Sequence, residues 1–313
     1  MSTDFYAYKA KPSRKRLKRL MVVLLFSAVT AALIASSYFL IQYVTQKSKQ
    51  SLALLSKNWS EKAYQAVLES TAEQLAKEPL DPIFLMYNGF SSFYLSLQEY
   101  DSQKKNAYIQ NTVRSLRKIL INQDVSHYQE ISYVLGKAYF YMGTAYYDLS
   151  EKYLLLAQEK GYGALDIDEY LGLIYFQQKK MQESLTRYLA VYNTKKEAPE
   201  LMFAIAQCYA QLGDNKSAEE FLSLAESRAI DVFMLEQIRL LLVDLYLQSS
   251  QDDKVMDLLE KIKKNNPESA DAYYKEGLYY SMHGDIIRSR AAWRKALNID
   301  PMHKEARQKL AER

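Results

Sequence analysis

Tyr175 recurs as Tyr209, and Tyr246 as Tyr280, each pair 34 residues apart. At the same interval Ser184 recurs as Ala218, Val255 as Ser289 and Pro267 as Pro301. A period of that length, with tyrosines and small residues in phase, restricts the chain to stacked helix–turn–helix units. One such unit cannot bury its apolar face alone, so it must stack on neighbours. The stack leaves an extended concave surface for a partner. Only nine glycines and six prolines occur among 313 residues, which fits long helices with tight turns better than a β fold. The 27 tyrosines then read as packing between helices, where each supplies bulk and a polar tip.

Residues 20–46 contain no charged side chain over 27 positions. A bilayer core of about 30 Å needs roughly 20 apolar residues at about 1.5 Å each, so this run is long enough to span as one signal-anchor helix. Lys9, Lys11, Arg14, Lys15, Arg16, Lys18 and Arg19 precede it against Asp4 alone, whereas only Lys47, Lys49 and Lys57 follow closely. The positive-inside bias predicts a cytoplasmic tail at 1–19 and export of everything after the span. The alternative is a cleaved signal peptide ending near Ala35-Ser36-Ser37, but Tyr38-Phe39-Leu40-Ile41 carries the apolar run onward. Small residues at Ala28, Ala32 and Ser36 would permit close helix pairing, which leaves oligomerisation open.

Charge separates the two parts. The tail carries +6 while the whole chain carries +4, which leaves about −2 for residues 20–313. The exported part has no strong positive field, and this argues against nucleic acid as a partner. The single cysteine, Cys208, excludes an intrachain disulfide.

The residues that carry the period resemble the tetratricopeptide repeat (TPR) family. In unit 270–303, Tyr273 stands at the family's first bulky position, Gly277 at its small eighth and Tyr280 at its aromatic eleventh. Gly284-Asp285 make the turn, Ser289, Trp293 and Ala296 follow in the second helix, and Asp300-Pro301 close the unit. Small residues let two helices approach, bulky ones fill the gap, and proline stops the second helix. Unit 199–232 matches with Ala206, Tyr209, Gly213-Asp214, Ala218, Leu222 and Ala225. Unit 165–198 matches with Gly172, Tyr175, Ser184, Tyr188 and Val191. Unit 236–269 keeps Val243, Tyr246, Val255, Leu259, Ile262 and Pro267 but lacks the glycines. Unit 129–161 keeps Gly136, Tyr139, Gly143 and Ala157, and needs about two extra residues near its turn.

Upstream, 47–128 reads as degenerate repeats: a helix at 82–98 around Gly89, its partner at 104–121, and a further helix at 60–77 capped by Ser60. Residues 304–313 suit a terminal cap helix. The resemblance thus implies an all-α fold, in which a single transmembrane helix precedes a right-handed α-solenoid with five TPR units over 129–303.

In this family the groove is lined from positions two, five, nine, twelve and thirteen of each first helix. Carried over, these give Tyr133, Lys137, Phe140 and Tyr141; Asp166, Glu169, Leu173, Phe176 and Gln177; and Glu200, Phe203, Gln207 and Gln211. Gln237, Leu240, Asp244 and Gln248 follow, then Asp271, Tyr274, Leu278 and Met282. The expected partner-binding residues are Tyr133, Phe140, Glu169, Phe176, Phe203, Gln207, Asp244, Tyr274 and Leu278. Family members that clamp acidic peptide tails use Lys, Asn and Arg here for charge-assisted bonds. Lys137 is the only cation in this set, so aromatic or aliphatic partners, with Lys or Arg beside them, suit the groove better. Glu169 and Asp244 are expected to repel acidic partners. Packing of some of these side chains against an inserted helix or another subunit is the alternative reading.

Chemistry is absent from the pattern. His127, His283 and His303 are not set at metal-ligand spacing. There is no glycine-rich phosphate loop and no nucleophile elbow. Cys208, at position ten of a repeat helix, reads as a buried small hydrophobe. The expectation is a non-catalytic protein, without cofactor or metal, that binds other proteins or peptides through its concave face. The layout predicts a bacterial inner-membrane protein with its repeats in the periplasm, assembling an envelope machine. It resembles secretion accessory factors and collar components of periplasmic flagella. An organelle import-type receptor with cytosolic repeats is one alternative, and a membrane-bound enzyme using residues 50–128 is another.

Overall fold

The computed structural model describes residues 36–39, 42, 51–121 and 127–312. The tail 1–19 lies outside the described residues, as does the 20–46 run apart from 36–39 and 42. No helix among the described residues is long and apolar enough to cross a membrane. Regular structure among them is entirely helical. After helical residues 51–60 come α1 (Tyr64–Leu75), α2 (Pro82–Gln98), α3 (Ser102–Ile119) and α4 (Tyr128–Tyr141). A short 3-10 turn, Thr144–Tyr146, leads to α5 (Tyr147–Glu159), then α6 (Ile167–Gln177) and α7 (Met181–Tyr192). The stack continues through α8 (Pro199–Leu212), α9 (Asn215–Arg228), α10 (Val232–Gln248) and α11 (Asp252–Asn265). It ends with α12 (Ala270–Met282), α13 (Ile286–Ile299) and the cap α14 (Lys304–Ala311).

Each even-numbered helix from α2 to α12 packs against its successor as a pair, and each pair packs on the next. First helices also touch across pairs, α2 with α4, α4 with α6, α8 with α10 and α10 with α12. They therefore form a wall in two runs, α2–α4–α6 and α8–α10–α12. The core follows the stack as successive buried clusters rather than converging on one centre.

What holds a pair together recurs. A Cβ added at Gly172 would come within 2.5 Å of the Tyr188 ring, one at Gly136 within 2.6 Å of Leu154, and one at Gly277 would run into Trp293. The first helix must be bare there because the second fills the space. At Gly172, Gly136 and Gly89 a hydroxyl of the second helix also donates to the glycine carbonyl. Ser184 bonds Gly172 at 2.8 Å, Ser150 bonds Gly136 at 2.7 Å, and Thr112 bonds Gly89 at 3.1 Å. Between pairs, the in-phase tyrosines reach backwards: Tyr175 donates to Glu151 at 3.0 Å and Tyr246 to Glu219 at 2.7 Å.

Two of the first helices, α8 and α12, close in the same way. Gly213 and Gly284 take φ of 82° and 74°, the left-handed C′ geometry that glycine adopts without penalty. Asp214 and Asp285 then cap the second helices by accepting from the backbone N–H of Ser217 and Arg288. The extra residues in the 129–161 unit are the 3-10 turn after Gly143.

The N-terminal part departs from expectation at one helix. Residues 51–60 are already helical, and the hydroxyl of Ser60 donates to the Lys57 carbonyl at 2.7 Å, so it closes that helix instead of capping the next. Lys62 turns the chain at φ 57°, and α1 starts at Tyr64. Here a buried amide ties three helices: Asn88 donates to Thr71 of α1 at 2.9 Å and accepts from Asn111 and Ser115 of α3 at 2.7 and 3.0 Å.

Candidate functional site

Three adjacent first helices, α8, α10 and α12, together with the cap α14, enclose an open cleft of about 490 Å3. Leu241, Leu245, Leu247 and Leu278 give it an apolar lining, and Met282 lies at its exposed rim. Ala210 and Ser281 are small, which leaves the valley open between the helices. Gln211, Gln248, Asp244 and Lys309 add polar groups.

The electrostatics are quiet. Asp244 is paired with Lys275, one helix over. Lys309 bonds the Glu312 carboxylate at 2.8 Å, and that bond raises its ammonium above the usual value. The cleft thus offers leucine side chains, amides and the Ser281 hydroxyl, and its carboxylate and ammonium are each held in an ion pair.

Of the nine expected residues, Asp244 and Leu278 line this cleft. Gln211, Gln248 and Met282 from the wider groove set join them. The other seven are spread along the wall, half-buried between units. The Tyr133 hydroxyl donates to Asp166 at 2.8 Å and accepts from Lys137 at 2.9 Å, while the Lys137 ammonium also bonds Asp166 at 2.9 Å. Lys137 stands over the rings of Tyr133 and Tyr170, 4.9 Å from each centre. Burial, then the bond to Asp166, pushes the Tyr133 phenol far above its usual range. Phe140 stacks on Tyr147 at 5.5 Å and meets Tyr170 edge-on at 4.9 Å. Phe176 and Phe203 pack onto the buried clusters around Ile205 and Met202, and the Tyr274 ring lies 5.0 Å from that of His303. Gln207 lies on α8, half-buried.

One electrostatic expectation needs correction. Lys137 is the only cation at the groove positions, but two lysines outside them reach the carboxylates: Lys195, in the loop after α7, meets Glu169, and Lys275, from the next unit, meets Asp244. Both carboxylates are thereby neutralised, and their repulsion of acidic partners is weakened. Sequence reasoning also passed over Leu241, Ala210, Leu247, Ser281 and Lys309. Ala210, Leu247 and Ser281 occupy position twelve of their units, so the family pattern contained the signal. Lys309 lies in the cap, beyond the period, and had none.

The reactive side chains are spent structurally. His283 bonds the Tyr279 carbonyl and Asp252, each at 2.8 Å, and both bonds raise its pKa. His303 is buried and caps α14 by accepting from the N–H of Ala306 at 3.2 Å. Cys208 is fully buried, and burial pushes its thiol up, away from the reactive thiolate. No group of three or more His, Cys, Asp or Glu among the described residues could hold a metal ion.

The sequence matches no protein-family model, and no curated protein matches it at the sequence level. In three dimensions the chain is similar to the C-terminal part of a TPR repeat-containing protein from Cytophaga hutchinsonii. The TM-score is 0.58 at 14% identity, over 82% of this chain and 98% of that one. It is also similar to pilF of Pseudomonas aeruginosa, with a TM-score of 0.52 at 13% identity, over 72% of this chain and 97% of the other. Identity this low speaks to the fold.

Proposed function

We propose that this tetratricopeptide-repeat solenoid is a non-catalytic scaffold, held at a membrane by residues 20–46, that grips a partner protein by an apolar segment laid in the α8–α10–α12 cleft. The cleft carries the proposal. Its leucines supply the desolvated centre that binding segments need, and Gln211 and Gln248 can meet the donors and acceptors of an incoming backbone. The wall is built from helices already packed on both sides, so little ordering has to be met at the moment of binding.

The membrane part of the reading rests on sequence: 27 uncharged positions preceded by seven basic residues. It puts the N-terminus in the cytoplasm and the solenoid on the periplasmic side of a bacterial inner membrane. There the chain would assemble or hold components of an envelope machine, such as a secretion accessory complex or a periplasmic flagellar collar. A photo-crosslinking residue at Met282, in the native membrane, is expected to trap one discrete protein. The same residue at Ser223, on the second helix α9, is expected to trap none. The reverse pattern would move the binding surface off the cleft.

A further inference from the structure

One helix far from the cleft carries charge of a single sign. Helix α3 contains Lys104, Lys105, Arg114, Arg117 and Lys118 and no acidic residue. Gln110, Arg114, Arg117, Lys118 and Ile121 recur at helical spacing along one face. With Val113 and Met142 they line a shallow depression of about 480 Å3. Arg114, Arg117 and Lys118 are exposed and make no ion pair among the described residues. Lys137, Arg187, Arg239, Lys263 and Lys275, by contrast, are each held by a carboxylate. Ile121 stands 78% exposed beside the three cations.

We propose that this face of α3 docks on the phosphate headgroups of an anionic bilayer, so that the N-terminal end of the solenoid lies against the membrane. The inference rests on the membrane-anchored reading above. Two features favour lipid over a soluble acidic protein. The uncharged run ends at residue 46, so the bilayer surface is the anion held at high local concentration around α3. Ile121 and Met142 also offer apolar atoms among the cations, the mixture that suits headgroups with hydrocarbon beneath them. Each basic side chain near an anionic surface strengthens partition roughly fivefold, so the three together give on the order of a hundredfold.

The test uses the full-length chain with Gln110→Cys carrying an environment-sensitive fluorophore; Cys208 is buried and escapes labelling. The chain is placed in nanodiscs of phosphatidylcholine, with or without phosphatidylglycerol, that contain spin-labelled lipid. Quenching and a blue shift are expected with phosphatidylglycerol, much less without it. High salt should reverse both, and Arg114→Gln/Arg117→Gln/Lys118→Gln should abolish them. Absence of quenching in a chain that co-purifies with anionic nanodiscs overturns docking and leaves anchoring intact. A chain that never enters the discs overturns anchoring instead. Docking is then decided by whether that chain floats with phosphatidylglycerol vesicles, and failure to float overturns it. A spectral shift with soluble polyglutamate but no lipid quenching would reassign the face to an acidic protein.

Discussion

Gly143, Gly213 and Gly284 turn the chain between the two helices of their units at positive φ, and Lys179 and Ser250 make the same turn at φ of 63° and 54° with a Cβ in place. The unit containing Ser250 therefore keeps the geometry but not the glycine, which is why its turn left no mark in the sequence. An L-residue in this region costs about 1–2 kcal/mol, partly offset by the freedom that glycine loses on folding. Ser250→Gly should raise stability by about 0.5–1 kcal/mol in urea unfolding; an unchanged midpoint would mean that the turn carries no strain. Tyr246 offers a pH-dependent test. Its hydroxyl bond, followed by Lys254 at 3.2 Å, holds the Glu219 carboxyl below the usual 4.5. A carboxyl depressed in the folded state stabilises fully above its unfolded value and loses that contribution as pH falls through the folded one. Tyr246→Phe should thus cost about 1–2 kcal/mol at neutral pH, with the gap from the parent closing in acid. A gap of constant size from neutral to acid pH would dissociate the bond from Glu219.

At the scale of helices, the small positions of the repeat are where the pairs meet. Ala218 and Ala296 are fully buried. Ala218→Leu should cost about 1–3 kcal/mol by overpacking, while Lys216→Leu, exposed on the same helix, should cost little. Equal melting temperatures for the two variants would put the register in error. The repeat pattern told where a helix is bare and where it is bulky. It did not tell that Ser184 and Ser150 are hydrogen-bond donors to the glycine opposite, because small size and hydroxyl chemistry coincide in serine. Nor did the 34-residue period reach α2 and α3. These helices run 17 and 18 residues against 13 and 14 in α12 and α13, so Gly89 and Thr112 lie 23 apart where Gly172 and Ser184 lie 12 apart. Helix α2 was still legible around Gly89, and the structure caps it with Asp81 and places Pro82 in its first turn. In the groove, periodicity assigned a face to each side chain but not its cover. Phe140 and Phe203 face the wall yet are packed by the next unit, and the carboxylates of Glu169 and Asp244 are met by a lysine from the following loop and a lysine from the next first helix.

For the whole molecule, the proposed topology makes its own prediction. A phosphatase fused after Arg313 should be active, and a reporter restricted to the cytoplasm should be silent there; the opposite result would invert the chain and favour cytosolic repeats. The claim on which the rest depends is that the α8–α10–α12 cleft is the working surface. The most direct measurement is calorimetric titration of the partner trapped from Met282 into parent protein, Met282→Glu and Ile287→Glu. Both side chains are exposed, at 60% and 85%, so neither change should unfold the stack, and only Met282 belongs to the cleft. Met282→Glu should weaken binding about tenfold or more while Ile287→Glu binds like the parent. Equal affinity for all three would contradict the account.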